Sequence, residues 1–234
     1  MTNQITAKYY HHMGDDITTV NAARVSFAKQ SKLVCTDLIQ GTYDLDKRDK
    51  KLINYLAKHK HLSPFNHASV TFVCKAPIFV ARQLVKHEYM PWNEVSRRYV
   101  SDNIEFYRPD VWRGQASDKK QGSAGEVDAI YSSNYGSPYF PNDFADRHNK
   151  SCLHIYQCMI DSGVCEEQAR MVLPQNTMTE WYWTGTLGAI AKMCNLRCKP
   201  DTQYETRLIA DQISDKMTEL FPVSWAALME EKDQ

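Results

Sequence analysis

No run of apolar residues in the sequence approaches the roughly 18 to 20 that a membrane-spanning helix needs. The N-terminus, "MTNQITAKYYHHMGDD", lacks the apolar core of a signal peptide. Charge of one sign is not in excess: Lys plus Arg and Asp plus Glu number 28 each, so no global field recruits nucleic acid or an anionic membrane surface. An anionic ligand must therefore be held by a local cluster. The seven cysteines are an odd number without a C-x-x-C pair, which fits reduced thiols better than a disulfide framework. No G-x-G-x-x-G occurs, so no complete glycine-rich dinucleotide loop is present in the chain. Together these absences predict a cytoplasmic protein with small-molecule partners, no nucleic acid and no membrane.

The composition is that of an ordinary globular chain, and 234 residues are enough to enclose a core. "GDDITTVNAARVSF" predicts a short helix capped by Asp15 or Asp16, with Val20, Ala23 and Phe27 at helical spacing. "DKRDKKLINYLAKHKH" predicts a second, with Leu52, Ile53 and Leu56 inward, ending at the turn "LSPFNH". "ASVTFVCK", "NIEFYRP" and "NTMTEWYWTG" read as strands. "APIFVARQLVKHE" reads as a helix with Pro77 in its first turn.

The stretch 112–141 is dense in Gly, Ser, Lys and Asp and reads as a surface excursion. "NDFADRHNKSCLHIYQCMIDSG" predicts a long helix capped by Asn142 or Asp143 and stopped by Gly163. "CEEQARMVLP" predicts a short helix and "TLGAIAKMCNLR" another. A last helix over "DTQYETRLIADQISDKMTELF" opens with a capping-box pattern, Thr202 to Glu205, and turns Ile209, Ile213, Met217 and Leu220 inward. No repeat or domain boundary is visible. The expected fold class is α+β, one domain over 1–234.

Candidate chemistry concentrates in "RQLVKHEYMPWNEVSRRY", where arginine, lysine, histidine, serine, asparagine and glutamate stand close together. Guanidinium groups grip phosphate bidentately, amides and hydroxyls add neutral donors, and a carboxylate can read an N–H or a ribose hydroxyl. That mixture suits a nucleotide, although an exposed charged loop has the same composition. Glu167 and Arg170 could simply pair on a short helix, and Arg197 could simply close one. His59, His61 and His67 form too loose a pattern to predict a metal, and Cys194 with Cys198 lack a histidine partner, so no metal is expected.

In order, "AARVSF" (22–27), "HLSPFNH" (61–67), "FVARQ" (79–83), "NEVSRRY" (93–99), "ARMVLP" (169–174) and "NLR" (195–197) resemble the flavin-dependent thymidylate synthase family, and "KKQGS" (119–123) resembles an excursion of many members. The match is collinear over most of the chain. The family's Arg-His-Arg, seven residues, then Ser becomes Lys86, His87 and Glu88, seven residues, then Ser96. Lysine keeps the charge but loses the fork, and glutamate reverses the charge. Arg97, where the family usually has glycine, and Lys192 are candidates to restore it.

The resemblance implies a central, largely antiparallel sheet flanked by helices and a homotetramer with sites shared between subunits. It implies reductive methylation of dUMP to dTMP, with methylene-tetrahydrofolate as carbon donor and FAD reduced by NADPH. For dUMP it implies Gln83, Glu94, Ser96, Arg97, Arg98, Arg170 and Arg197, with Arg197 facing the uracil as the catalytic residue. For FAD it implies Ser26, His61, Ser63, Asn66, Lys86, His87, Glu88, Asn93, Glu94, Thr186, Gly188, Lys192, Leu196 and Asp201. Ser96 reads as a substrate hydroxyl donor rather than a nucleophile, since no His–carboxylate pair at suitable spacing activates it. Two other readings stay open: 5-hydroxymethylation of dUMP without flavin hydride, and a non-catalytic nucleotide-binding relative.

Overall fold

The structure, a computed structural model, describes residues 5–37, 39–116, 122–130 and 140–229. Its elements in chain order are β1 (Thr6–Met13), α1 (Asp16–Arg24), β2 (Val34–Asp37), β3 (Thr42–Asp44), α2 (Lys47–Lys58), β4 (Ser69–Pro77), α3 (Ile78–Leu84), β5 (Trp92–Glu94), β6 (Arg113–Gln115), β7 (Ser123–Glu126), α4 (Pro141–Asp161), α5 (Glu166–Ala169), β8 (Met178–Thr186), α6 (Leu187–Arg197), α7 (Tyr204–Leu220) and α8 (Pro222–Met229). Four strands form an antiparallel sheet in the order β1-β4-β8-β5, as expected of a central antiparallel sheet. β2 with β3 and β6 with β7 make separate two-stranded ribbons.

The sheet is organised around β4 and β8, whose nine residues pair from Ser69 against Thr186 to Pro77 against Met178. Both strands are rich in β-branched and aromatic residues, which suit a pleated, buried surface. Phe72 lies opposite Trp183 and Cys74 opposite Trp181, so each pair shares a face. Trp92 of β5 stacks on Trp181 with ring centroids 4.4 Å apart, anchoring the short edge strand. α6 and α7 contribute Ile190, Met193, Ile209, Ile213 and Met217, all fully buried, to the same core.

The amphipathic α2 turns Ile53 and Leu56 inward and leaves Lys47, Arg48 and Lys51 exposed. Asp15 caps α1 by accepting from the Thr18 amide. The next residue, buried Asp16, reaches across the fold and accepts from the Val223 and Ser224 amides of α8 at 2.9 Å each. A side chain at one end of the chain thus caps a helix at the other.

Several expectations need correction. Phe27 does not face the core: α1 ends at Arg24, a 3₁₀ turn follows, and Phe27 is 75% exposed. "NIEFYRP" is not a strand. It makes one isolated bridge, Phe106 with Thr177, although its backbone still bonds to 176–178. Pro77 closes β4 rather than opening a helical turn, and α3 ends at Leu84, before Lys86 and His87. Phe140, not Asn142 or Asp143, occupies the cap position of α4.

Thr202 and Glu205 form no capping box. Gln203 holds the cap position of α7, and the Thr202 hydroxyl donates to the Leu196 carbonyl instead. The excursion at 112–141 contains the β6–β7 ribbon. Lys119, Lys120 and Gln121 of "KKQGS", and 131–139, lie outside the described residues.

Candidate functional site

Helix α6 carries candidate residues at both ends. At its N-terminus the Thr186 hydroxyl accepts from the Ala189 amide, capping the helix, and donates to Asn66 Oδ1 at 2.8 Å. Asn66 lies in the 3₁₀ turn Ser63–His67, which Pro64 and Phe65 pin by burial while Ser63 and Asn66 stay exposed. A Cβ on Gly188 would stand 2.6 Å from Asn66 Oδ1, so only glycine admits this approach. His61, just before the turn, and Ser26, in the turn after α1, are also exposed. The result is an open shelf of amide and hydroxyl groups at a helix N-terminus, a setting that suits an anion.

At the other end of α6, Arg197 Nε donates to His87 Nε2 at 3.1 Å. Burial, with the charges of Arg197 and Lys192 adding to it, lowers the His87 imidazole to about 4. The neutral ring accepts at Nε2, which places its proton on Nδ1. Beside it Glu88 and Lys192 form an exposed ion pair at 3.5 Å, so the reversed charge of the triplet meets the lysine on α6. Lys86 and Asp201 are exposed, and exposed Leu196 contributes its carbonyl to Thr202.

Gln83 and Arg197 meet in a cleft of about 850 Å³, together with Tyr107, Arg113, Gln203 and Glu205. That size suits a small-molecule ligand. Gln83 accepts from Thr206 Oγ1 at 2.9 Å and donates to Gln203 Oε1. Burial, reinforced by the Glu205 charge, raises the Tyr107 phenol above its ordinary value. It therefore serves as a donor, 3.4 Å from Glu205.

The remaining candidates lie outside the cleft lining. Glu94 at the end of β5 accepts from Thr179 Oγ1 at 2.7 Å and from Trp92 Nε1 at 3.0 Å, which fixes its carboxylate on the sheet edge next to exposed Asn93. Ser96 Oγ accepts from the backbone amide and Nε of Arg98, both at 3.3 Å. The Arg98 guanidinium lies 5.0 Å from the Tyr99 ring centroid. Arg97 donates to the carbonyls of Val100 and Asp102, and Arg170 to that of Glu167.

The chain matches the family described as thymidylate synthase complementing protein over residues 9–223. It is 36% identical over 221 residues to a flavin-dependent thymidylate synthase of Thermus thermophilus, covering 93% of this chain and 73% of that one. The chain belongs to the flavin-dependent thymidylate synthase family. It is 34% identical to the family enzyme of Thermosipho melanesiensis, over 93% of this chain and 87% of that one. Among solved structures, the UMP/dUMP methylase PolB from Streptomyces cacaoi, bound with 5-Br dUMP, superposes with a TM-score of 0.76 at 30% identity, over 97% of this chain and 95% of that one.

Within this flavin-dependent thymidylate synthase fold, reading the sequence missed Arg113, Tyr107, Gln203 and Glu205 as cleft residues. Glu205 stands in the same "TQYE" (202–205) that reads as a capping box.

Proposed function

We propose that the protein methylates dUMP to dTMP, taking the carbon from methylene-tetrahydrofolate and using FAD reduced by NADPH. The observation that carries the reading is Arg197, oriented by neutral His87 and reaching the cleft that also receives Gln83. A guanidinium fixed beside O2 and N3 of uracil favours the anionic pyrimidine and makes C5 more nucleophilic, with no proton surrendered by arginine. Gln83, Ser96, Arg98 and Arg170 hold the nucleotide, chiefly at its phosphate, and Glu94 stands where nucleotide and flavin meet. Arg97 lies between Ser96 and Arg98 in the same turn.

The shelf residues fit a flavin dinucleotide. The close approach of Gly188 to Asn66 keeps the surface at the α6 N-terminus low, and Ser63 and Ser26 offer hydroxyl donors along it, with Thr186 and His61 beside them. Lys86, Lys192, His87, Glu88, Asn93, Glu94, Leu196 and Asp201 border the rest. When bound, the flavin supplies the hydride that completes the methyl group. The ends of α6 are about 15 Å apart at 1.5 Å per residue, so one rigid helix spans both groups of residues.

Four copies with shared sites fit this arrangement. The nucleotide candidates divide into a cleft set, Gln83 and Arg197, and a set outside it, Ser96, Arg98 and Arg170. Val25, Phe27 and Leu62 leave large apolar area exposed beside Ser26, His61 and Ser63, which a second copy would cover. Two subunits facing one another would bring both sets to one nucleotide.

The test is the visible spectrum of the purified protein, followed by turnover. A yellow preparation that bleaches with NADPH and forms dTMP from dUMP and methylene-tetrahydrofolate is expected. A colourless protein that cannot be reconstituted with FAD overturns the reading, and release of tritium from 5-tritiated dUMP without flavin oxidation would favour hydroxymethylation.

A further inference from the structure

We propose that Glu205, clamped by Arg113, is a positioning residue that fixes Gln83 in the cleft as a hydrogen-bond donor and so selects an acceptor oxygen on the nucleotide. The inference rests on the nucleotide reading of the cleft and extends it to residues which that reading does not use. Glu205 is 4% exposed and accepts from three groups: Arg113 Nη2 and the Tyr107 hydroxyl at Oε1, and Gln203 Nε2 at Oε2, 3.3 Å away. A buried carboxylate demands such donors.

The polarity of the whole chain of side chains follows from that charge. A carboxylate only accepts, so the Gln203 amide must present its nitrogen to Glu205. Its oxygen then faces Gln83, which presents its own nitrogen in return. The Gln83 oxygen is left to the hydroxyl of fully buried Thr206, which donates to it at 2.9 Å. One Gln83 N–H is thereby engaged and the other remains for the cleft, where a phosphate or carbonyl oxygen matches it and a donor does not.

Arg113 ties this relay to the excursion. Its Nε donates to Ser123 Oγ on β7 at 3.0 Å, and its guanidinium carbon lies 4.7 Å from the centroid of the Tyr204 ring. The β6–β7 ribbon thus holds the cation that holds Glu205, and a surface excursion reaches the nucleotide through four side chains.

A double-mutant cycle on the flavin-loaded protein tests the relay, with dUMP affinity measured by calorimetry and kcat/KM at low dUMP extending the range. Glu205→Gln, which keeps the shape but lets both amides flip, is expected to weaken dUMP binding about tenfold. In a Gln83→Ala background the same change is expected to cost less than about twofold, because the effect acts through Gln83. Equal losses in both backgrounds, or none in either, overturn the proposal while leaving the nucleotide reading intact. Failure of the unsubstituted protein to bind dUMP overturns both. Thermal unfolding checks each variant, and if Glu205→Gln does not fold, Gln203→Leu, which cuts the link between Glu205 and Gln83, enters the same cycle with the same expected outcomes.

Discussion

Arg197 Nε donates to Nε2 of His87, 110 residues away in the chain, and so joins the variant triplet to the last turn of α6. The contact requires an unprotonated imidazole, because a charged ring would offer a second donor to a guanidinium. Burial and the neighbouring cations keep it unprotonated down to about 4.

The sign of the pH dependence follows. The folded state takes up the His87 proton only near pH 4, whereas the unfolded chain takes it up near 6.5. Between these values the unfolded state binds more protons, so this residue's share of stability falls as pH drops through the window. His87→Gln, which retains an acceptor, is expected to remove that slope, as read by denaturant unfolding at several pH values. An imidazole that titrates near 6.5 by NMR would contradict it.

Arg197→Lys keeps the charge and loses the planar fork. Turnover is expected to fall by about a hundredfold or more, the scale of a lost preorganised donor, while FAD content per chain stays near that of the unsubstituted protein. Steady-state rates and the flavin absorbance of the same sample measure the two separately. Normal turnover would remove Arg197 from its assigned place.

Gly188→Ala is expected to act at the shelf. Its Cβ would displace Asn66, loosening the bond from Thr186. FAD affinity should drop several-fold with a stability loss of about 1 kcal/mol, the scale of one hydrogen bond. Flavin fluorescence titration alongside thermal unfolding reads both.

Glu88 and Lys192 are both largely exposed, with side-chain exposures of 71% and 73%, so their pair contributes less than about 1 kcal/mol to folding. Lys192→Ala is expected to weaken FAD binding by leaving Glu88 unneutralised, and Glu88→Ala in that background to restore part of it. Unchanged FAD affinity in Lys192→Ala would show that the lysine does not compensate for the glutamate.

The elements that the sequence reveals most clearly are those whose burial is one-sided or complete. β8 alternates because one of its faces, with Trp181 and Trp183, is buried while Glu180 and Tyr182 stay exposed, and α7 places Ile209, Ile213 and Met217 on one stripe because that side alone meets the core. β1 escapes the same reading because most of it is exposed, leaving its pairing with β4 without an apolar period. β5 is three residues long and holds its place through Trp92 against Trp181, a contact between distant segments. "NIEFYRP" has strand composition, yet Phe106 with Thr177 is its single bridge.

At the site, family motifs point to Gln83 and Arg197, and the fold brings both to one cleft. Glu205 could not be read the same way. Thr-x-x-Glu before an apolar stripe looks identical whether the carboxylate turns back to the helix cap or inward to an arginine 92 residues away.

Asp16 supplies a stability test far from the chemistry. Asp16→Ala would leave the Val223 and Ser224 amides without their partner, and a loss of about 1–3 kcal/mol is expected from denaturant unfolding. A change below about 0.5 kcal/mol would mean that solvent takes over the cap.

The same contact sets an order of events during synthesis. Asp16 emerges from the ribosome more than 200 residues before the amides it caps, and β1, next to it, is bridged by Gln212, which bonds to both Ile5 and Ala7. The first strand and helix therefore wait, with a carboxylate lacking its final partners, until α8 has been translated. A ribosome stalled anywhere before α7 would display a chain whose sheet edge is still unsecured.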